Sequence, residues 1–210
     1  MRESAIRFVR PGDRRDAAAI LGIYAPFVRD TTVSFEYSVP TLEDFMSRIQ
    51  GIASVYPYVV REREGEILAY AYASRHLERA AYGWDVQTSV YAAPEARGTG
   101  EAGSLYAALF DLLAGLGYVN AYAIITLPNP VSVRFHEKSG FVAAGVHHNS
   151  GYKAGAWHDV AWMEKRLISH AGRPEPPLPV GSLSTAFCRE VFARYEHMPE
   201  GEAKKGNASR

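Results

Sequence analysis

The sequence predicts an α/β fold, a mixed and mostly antiparallel sheet with helices on both faces. Three observations carry this. Strand-like runs cluster early, in the order β-α-α-β-β-β. Two of them are joined by Arg63-Glu64-Gly65-Glu66, a hairpin signal that makes them antiparallel neighbours. From Trp84 onward strands alternate with helices and finish on two more strands, as -α-β-α-β-β. A purely doubly wound sheet does not begin with such a cluster, so the sheet is mixed.

Each element has its own signal. Ile6-Arg7-Phe8-Val9 alternates and is closed by Pro11-Gly12-Asp13, a short strand and turn. Asp13 caps a helix that puts Ala17, Ile20, Leu21 and Tyr24 on one face, and Pro26 is expected to end or kink it. After a polar stretch, Thr41-Leu42-Glu43-Asp44 reads as a capping box for a helix through Phe45, Ile49 and Ile52. Tyr56 to Val60 and Ile67 to Tyr72 are the hairpin strands, and Trp84 to Ala92 is the third. Leu105, Leu109, Leu112, Leu113 and Leu116 share the face of a helix that Gly117 ends. Val119 to Thr126 reads as a buried strand. Pro130 sits just inside a helix carrying Val133, His136 and Glu137, which stops at Gly140. Phe141–Val146 and His158–Lys165 close the sheet.

These elements make residues 1–168 one domain. Beyond them, residues 169–210 change in composition. Pro174, Pro176, Pro177 and Pro179 form an extended strap, a short helix is expected over 183–197 around Phe187, Val191 and Tyr195, and Glu200 to Arg210 is expected to be disordered.

Composition excludes several classes. Lys+Arg 23 balances Asp+Glu 23, which argues against nucleic acid or an anionic membrane as partner. The one cysteine, Cys188, cannot make an intramolecular disulfide or a multi-cysteine zinc site. Met1 to Ala5 carries no apolar run behind it, and no apolar stretch is long enough to span a bilayer. A cytoplasmic protein is the expectation. His147, His148 and His158 invite a metal, but adjacent strand residues face opposite ways, so the pair does not chelate one ion and no metal is expected.

The run Asp85-Val86-Gln87-Thr88-Ser89-Val90-Tyr91 leads into Arg97-Gly98-Thr99-Gly100-Glu101-Ala102-Gly103 and then a helix. Free N–H groups at a helix start attract anions, and glycines let a phosphate come close, so this is a candidate phosphate cradle. Further stretches support a sharper reading: Ala81-Tyr82-Gly83-Trp84, Leu127-Pro128-Asn129, Ser132-Val133-Arg134, His136-Glu137 with Gly140-Phe141, and Gly151-Tyr152-Lys153 with Trp157-His158-Asp159-Val160. Together, over residues 5–168, they resemble the GNAT superfamily of acyl-CoA N-acyltransferases, and within it the phosphinothricin and methionine sulfoximine N-acetyltransferases.

The resemblance implies a GNAT fold in which two central strands splay apart around acetyl-CoA. The backbone of Val90, Tyr91 and Ala92 would bond the pantetheine arm. The loop Arg97, Gly98, Thr99, Gly100, Glu101, Ala102 and Gly103 would cradle the pyrophosphate, and Asn129 would touch the cofactor. Phe35, Arg79, Ala80, Ala81, Tyr82 and Lys153 match the pocket for a small amino-acid-like amine, with Arg79 a bidentate donor for its acid group. A homodimer is implied as well.

The chemistry needs an amine that has lost a proton, a stabilised oxyanion and a protonated leaving thiolate. The family's usual glutamate is replaced by Gln87, and a carboxamide accepts no proton at neutral pH. Asp85, on the same strand face about 6.6 Å away, is the first substitute through a water, and His136 the second. Tyr106 resembles the family's phenol near the thiolate. Glu137 points about 100° away from His136 and reads as structural. Glu101 stands where the family mostly has an apolar residue, and is expected to face outward rather than toward the phosphates. Tyr70, Tyr72 and Tyr82 read as an aromatic stripe for packing. Gln87 and Glu101 also motivate a second reading, a catalytically weak or inactive acyl-CoA-binding relative with an interaction role.

Overall fold

The computed structural model describes residues 4–170 and 172–196. In chain order the elements are β1 (Ser4–Phe8), α1 (Arg14–Asp30), α2 (Leu42–Ala53), β2 (Tyr58–Arg63), β3 (Glu66–Arg75), β4 (Asp85–Ala92), α3 (Glu101–Gly115), β5 (Asn120–Thr126), α4 (Pro130–Lys138), β6 (Val142–Lys153), β7 (Ala156–Arg166) and α5 (Thr185–Glu196). Short 3-10 turns cover Ala80–Tyr82, Pro94–Ala96 and Val180–Ser182. The seven strands form one sheet in the order β1-β2-β3-β4-β5-β7-β6. Only β4 and β5 pair in parallel; every other neighbour pair is antiparallel. The mixed α/β architecture read from the sequence is therefore the one observed.

Local signals explain most boundaries. Asp13 caps α1 by accepting from the backbone of Arg15 and Asp16, and Thr41 caps α2 through Asp44. Glu64 and Gly65 both take positive φ in the two-residue β2–β3 turn, as a type I′ hairpin requires. Gly117, at φ +89°, closes α3 with the Tyr118 N–H reaching back to the Leu113 carbonyl.

Three expectations need correction. Pro26 lies inside α1 and does not end it. The helix runs one more turn past it, to Asp30. The last two strands are longer than read: β6 and β7 form one hairpin to Lys153 and Ala156, with Ala154 and Gly155 at positive φ in its turn. Tyr82 is not part of an aromatic stripe. Tyr70 and Tyr72 stack instead with Tyr58 and Tyr91 under α1, while Tyr82 sits exposed in a turn.

Two apolar layers flank the sheet. One packs Ile20, Tyr24, Val28, Phe45 and Ile49 of α1 and α2 onto Tyr58, Val60 and Tyr70. The other packs Leu105, Leu109, Leu112 and Leu113 of α3 onto Val59, Ala71, Val86 and Ala121. Helix α3 is buried well beyond the single face read from the sequence, because the C-terminal segment covers it. Leu178 donates to the Leu116 carbonyl, and Val180 donates to that of Val55. The Phe187 ring lies so close to Gly115 that a Cβ there would stand 2.7 Å from it. Buried Arg61 donates to the carbonyls of Tyr195 and Glu196, satisfying the end of α5. Residues 174–196 are thus packed into the domain, with Cys188 partly buried against its core. The stretch Glu200–Arg210 lies outside the described residues. Among the described residues no helix is long and apolar enough to cross a membrane.

The start of the chain is tied down by charge. Asp16, 2% exposed, accepts from Arg7 at 2.7 Å and from Arg10 at 2.6 Å, and Arg7 also binds Glu62. Burial alone would raise the Asp16 carboxyl; the hydrogen bonds from Arg7 and Arg10 outweigh it and hold the group well below the usual carboxylate range. A pKa lowered by folding stabilises the fold above the ordinary carboxylate value and loses that contribution as the pH falls through the folded one. Asp16→Asn is expected to cost roughly 3 kcal/mol at pH 7. Urea unfolding should show that gap narrowing steadily below pH 4, and a constant gap would contradict the ion-pair account.

Candidate active site

The parallel pairing of β4 with β5 lasts three residues: Asp85 opposite Asn120, Val86 opposite Ala121 and Gln87 opposite Tyr122. Beyond it the strands diverge. On β4 the odd residues bond toward β3, as the Ala93 N–H to Leu68 carbonyl bond that continues the strand shows, and the even ones face β5. Val90 is the second even residue past the pairing, three positions beyond Gln87, so its N–H and C=O face the gap rather than another strand.

The gap passes through the sheet. Val33, Ser89, Tyr91, Ile124 and Thr126 line it from the α1 side, and Thr88, Val90, Ile125, Asn129, Ser132 and His136 from the α3 and α4 side. It is a cleft open to solvent. Val33, Ile124, Thr126 and Ser132 have no chemical signature in the sequence and were not foreseen as lining; they are found only once the splay is known.

The glycine loop follows the end of β4, and none of Arg97 to Gly103 is among the cleft's lining residues. Gly98 and Gly100 adopt φ of +79° and +82°, conformations that favour glycine. Gly100 is the N-cap of α3 and offers no side chain, so the first turn of α3 points N–H groups outward without a side-chain cap. The Arg97 Nε donates to the Ala92 carbonyl at 3.3 Å, and its guanidinium lies 5.2 Å over the Phe27 ring. Thr99 donates to the Ala96 carbonyl. Glu101 does not face outward as expected. It is buried and ion-paired with Arg63 of β2, so its charge is neutralised on the side away from solvent. Ala102 packs partly against the core, and Gly103 has open space around it.

His136 is buried on α4 and lines the cleft. Its Nδ1 lies 2.8 Å from the Ser132 carbonyl, which can only accept, so Nδ1 carries the proton and Nε2 holds the free lone pair. Burial, partly opposed by that carbonyl, pushes the imidazole below its ordinary pKa and keeps it neutral. The Asn129 carboxamide oxygen caps α4 through the Ser132 N–H. Tyr106 differs from expectation. Its phenol is fully buried, raised in pKa by burial, and bonded to Thr88 Oγ1 at 2.6 Å. The cleft is lined by Thr88, and Tyr106 lies behind it.

Gln87 shares its sheet face with Asp85, Ser89 and Tyr91. The Asp85 carboxylate accepts from Asn120 Nδ2 at 2.8 Å. Glu137 is exposed, in keeping with its structural reading. A group absent from the sequence reading is His76, just past the end of β3, whose surroundings include Asp85. Its ring stacks on Tyr122 at 4.0 Å and 10°.

The expected acceptor residues divide. Arg79, Ala80, Ala81 and Tyr82 form an exposed turn that leads into β4. Lys153 is not free for a ligand. It is buried, and its Nζ donates to the carbonyls of Val28 and Ser34, pinning the loop between α1 and α2 to β6. Phe35 lies against Gly151, where a Cβ would stand 2.1 Å from the ring, so it serves the same contact. The three strand histidines go to three partners: His147 to Trp162, His148 to Asp159, and His158 to the Lys153 carbonyl. Among the described residues no three His, Cys, Asp or Glu side chains converge as metal ligands do.

Comparison with known proteins bears on this arrangement. The acetyltransferase (GNAT) domain family matches residues 7–162. A phosphinothricin N-acetyltransferase of Streptomyces viridochromogenes is 33% identical over 172 residues, covering 82% of this chain and 92% of the relative. An L-methionine sulfoximine/L-methionine sulfone acetyltransferase of Salmonella typhimurium is 27% identical over 78% of this chain and 96% of its own length. The crystal structure of a GNAT superfamily phosphinothricin acetyltransferase from Sinorhizobium meliloti, in complex with AcCoA, superposes with a TM-score of 0.77 at 31% identity, covering 84% of this chain and 95% of that one.

Proposed function

The chain belongs to the GNAT acetyltransferase family, and we propose that it moves an acetyl group from acetyl-CoA to the amine of a small amino-acid-like acceptor of the phosphinothricin or methionine sulfoximine type. As a member of that family it is a CoA-dependent N-acetyltransferase. The acceptor class follows the names of its relatives. The observation that carries the reading is the splay of β4 from β5, with the Val90 peptide facing the cleft, followed in the chain by a helix start without a side-chain cap.

The residues fit acetyl-CoA as cosubstrate. The amide-bearing pantetheine arm adds hydrogen bonds where the Val90 N–H and C=O lack a neighbouring strand. The pyrophosphate meets the first N–H groups of α3, with Arg97 beside them. Glu101 does not oppose this, because Arg63 offsets its charge. The acceptor enters from the α1 side, past the Arg79–Tyr82 turn and Gln87. Gln87 orients the amine through its carboxamide. Attack is direct, in a ternary complex. His136 takes the second amine proton at Nε2 and passes it to the departing thiolate.

Acetyl-CoA at about 100 times its Kd is expected to add roughly 2.7 kcal/mol of stability, a melting shift of several degrees. Thiol release should then appear with phosphinothricin, methionine sulfoximine or another amino acid of a panel. A clear melting shift with no turnover on any amine would contradict the proposal. A homodimer belongs to the same reading, with Trp157, 63% exposed, and Tyr152 on the β6–β7 hairpin available to it. Light scattering at twice the chain mass is the expected result, and a monomer at every concentration would exclude it.

A further inference from the structure

We propose that His76 is the proton acceptor that replaces the missing carboxylate at position 87, with Asp85 as its positioning partner. The inference rests on the acyl-transfer reading above and adds a catalytic residue to it.

The geometry of three strands places the histidine. Ser74 of β3, Gln87 of β4 and Tyr122 of β5 stand in one row across the sheet and share a face. Strands β3 and β5 flank β4 and so lie about 9.5 Å apart. Yet the rings of His76 and Tyr122, which come from those two sides, are 4.0 Å apart and nearly coplanar at 10°. Both side chains must therefore lean over β4, where Asp85 and Gln87 present theirs. The Trp162 ring meets His76 edge-on at 5.6 Å and 75° and fixes its orientation from β7. The ladder ends with Arg75 opposite Val86, and one further step of the same register would set His76 opposite Asp85.

The ring is chemically suited to the task. Its Nδ1 is buried and has no hydrogen-bond partner among the described residues. A buried polar atom without a partner is rare and costly, and sites that handle protons are among the places where such atoms persist. Burial favours the neutral ring, while the Asp85 charge acts the other way and supports the imidazolium once it forms. Its ring neighbours are Tyr122 on β5 and Trp162 on β7, on which His147 of β6 also packs, and Glu78 near it in the chain is paired with Arg75. Tyr122 is raised in pKa by burial and by Asp85, Glu164 and Tyr82, so it stays a neutral phenol. Hydrogen bonds to a base are often absent without substrate and form in the complex, directly or through one water.

The step balances as follows. The ammonium nitrogen gives one proton to the imidazole. The freed lone pair attacks the thioester carbon and forms the C–N bond. The C–S bond breaks, its electron pair leaves on sulfur, and the second amine proton reaches that sulfur to give the thiol. The imidazolium then releases its proton to solvent.

His76→Phe keeps a ring on Tyr122 and removes the base. Measured by thiol release from pH 5.5 to 9, wild type should show an acid limb in kcat, and His76→Phe should lose that limb with kcat down about 100-fold at pH 7 and KM for acetyl-CoA unchanged. Adding Gln87→Glu to His76→Phe should restore most of the rate. If His76→Phe fails to bind acetyl-CoA in a melting experiment, Asp85→Asn decides: removing the negative charge should move the wild-type limb to lower pH. An active wild type whose rate and acid limb survive His76→Phe, or whose limb is unmoved by Asp85→Asn, overturns the role of His76 while leaving the acetyltransferase reading intact. A wild type inactive on every amine overturns both.

Discussion

The short parallel pairing of β4 and β5 is the constraint on which the rest of the site depends. Three rungs hold the strands together at one end, and none holds them at the other. A sheet cannot leave such a row of peptide groups facing apolar packing, because each unpaired group is costly when dry. The opening must therefore be a polar, ligand-accepting cleft. The helix that follows β4 in the chain has a glycine N-cap and no side-chain cap, so it offers a second set of donors. Both features are backbone features. In the proposed function they would bind the cosubstrate through groups that every residue possesses, leaving the side chains of the Gln87 face free to differ with the acceptor.

Charge is arranged to protect that backbone site. Glu101 in the first turn of α3 would repel a pyrophosphate if it were free, and Arg63 from β2 removes the problem from below. Arg61, the alternate residue on the same strand, caps the far end of α5. Strand β2 thus links the phosphate loop to the C-terminal helix, and α5 covers the outer side of α3 through Phe187 and Val191. The added segment consequently steadies the helix whose first turn carries those donors. Lys153 performs a comparable service on the other side by holding the α1–α2 loop, which contributes Val33 to the cleft.

Elements with strong local chemistry were legible in the sequence. Caps at Asp13 and Thr41, the Glu64-Gly65 turn and the α3 leucines gave their elements without tertiary information. The glycine loop and His136 were legible because their residue types are chemically distinctive. What escaped depended on contacts distant in sequence. The depth of α3 depends on α5 covering it, and Glu101 looked like a solvent-facing charge because Arg63 is 38 residues away. Lys153 looked like a ligand group because its two carbonyl partners lie more than 100 residues earlier. His76 had no motif at all. Its stacking on Tyr122 brings together residues of the two strands that flank β4, which no spacing in the chain encodes.

The central claim is that the divergent strands and the α3 start form one acetyl-CoA site built from backbone donors. Amide hydrogen exchange with and without saturating acetyl-CoA reads those donors directly. The account expects the Val90 amide and the amides of Gly100 to Gly103 to slow strongly and together, with β1 and β6 unchanged. Uniform slowing across the sheet, or no change at Val90 and the loop while acetyl-CoA is bound, would contradict it.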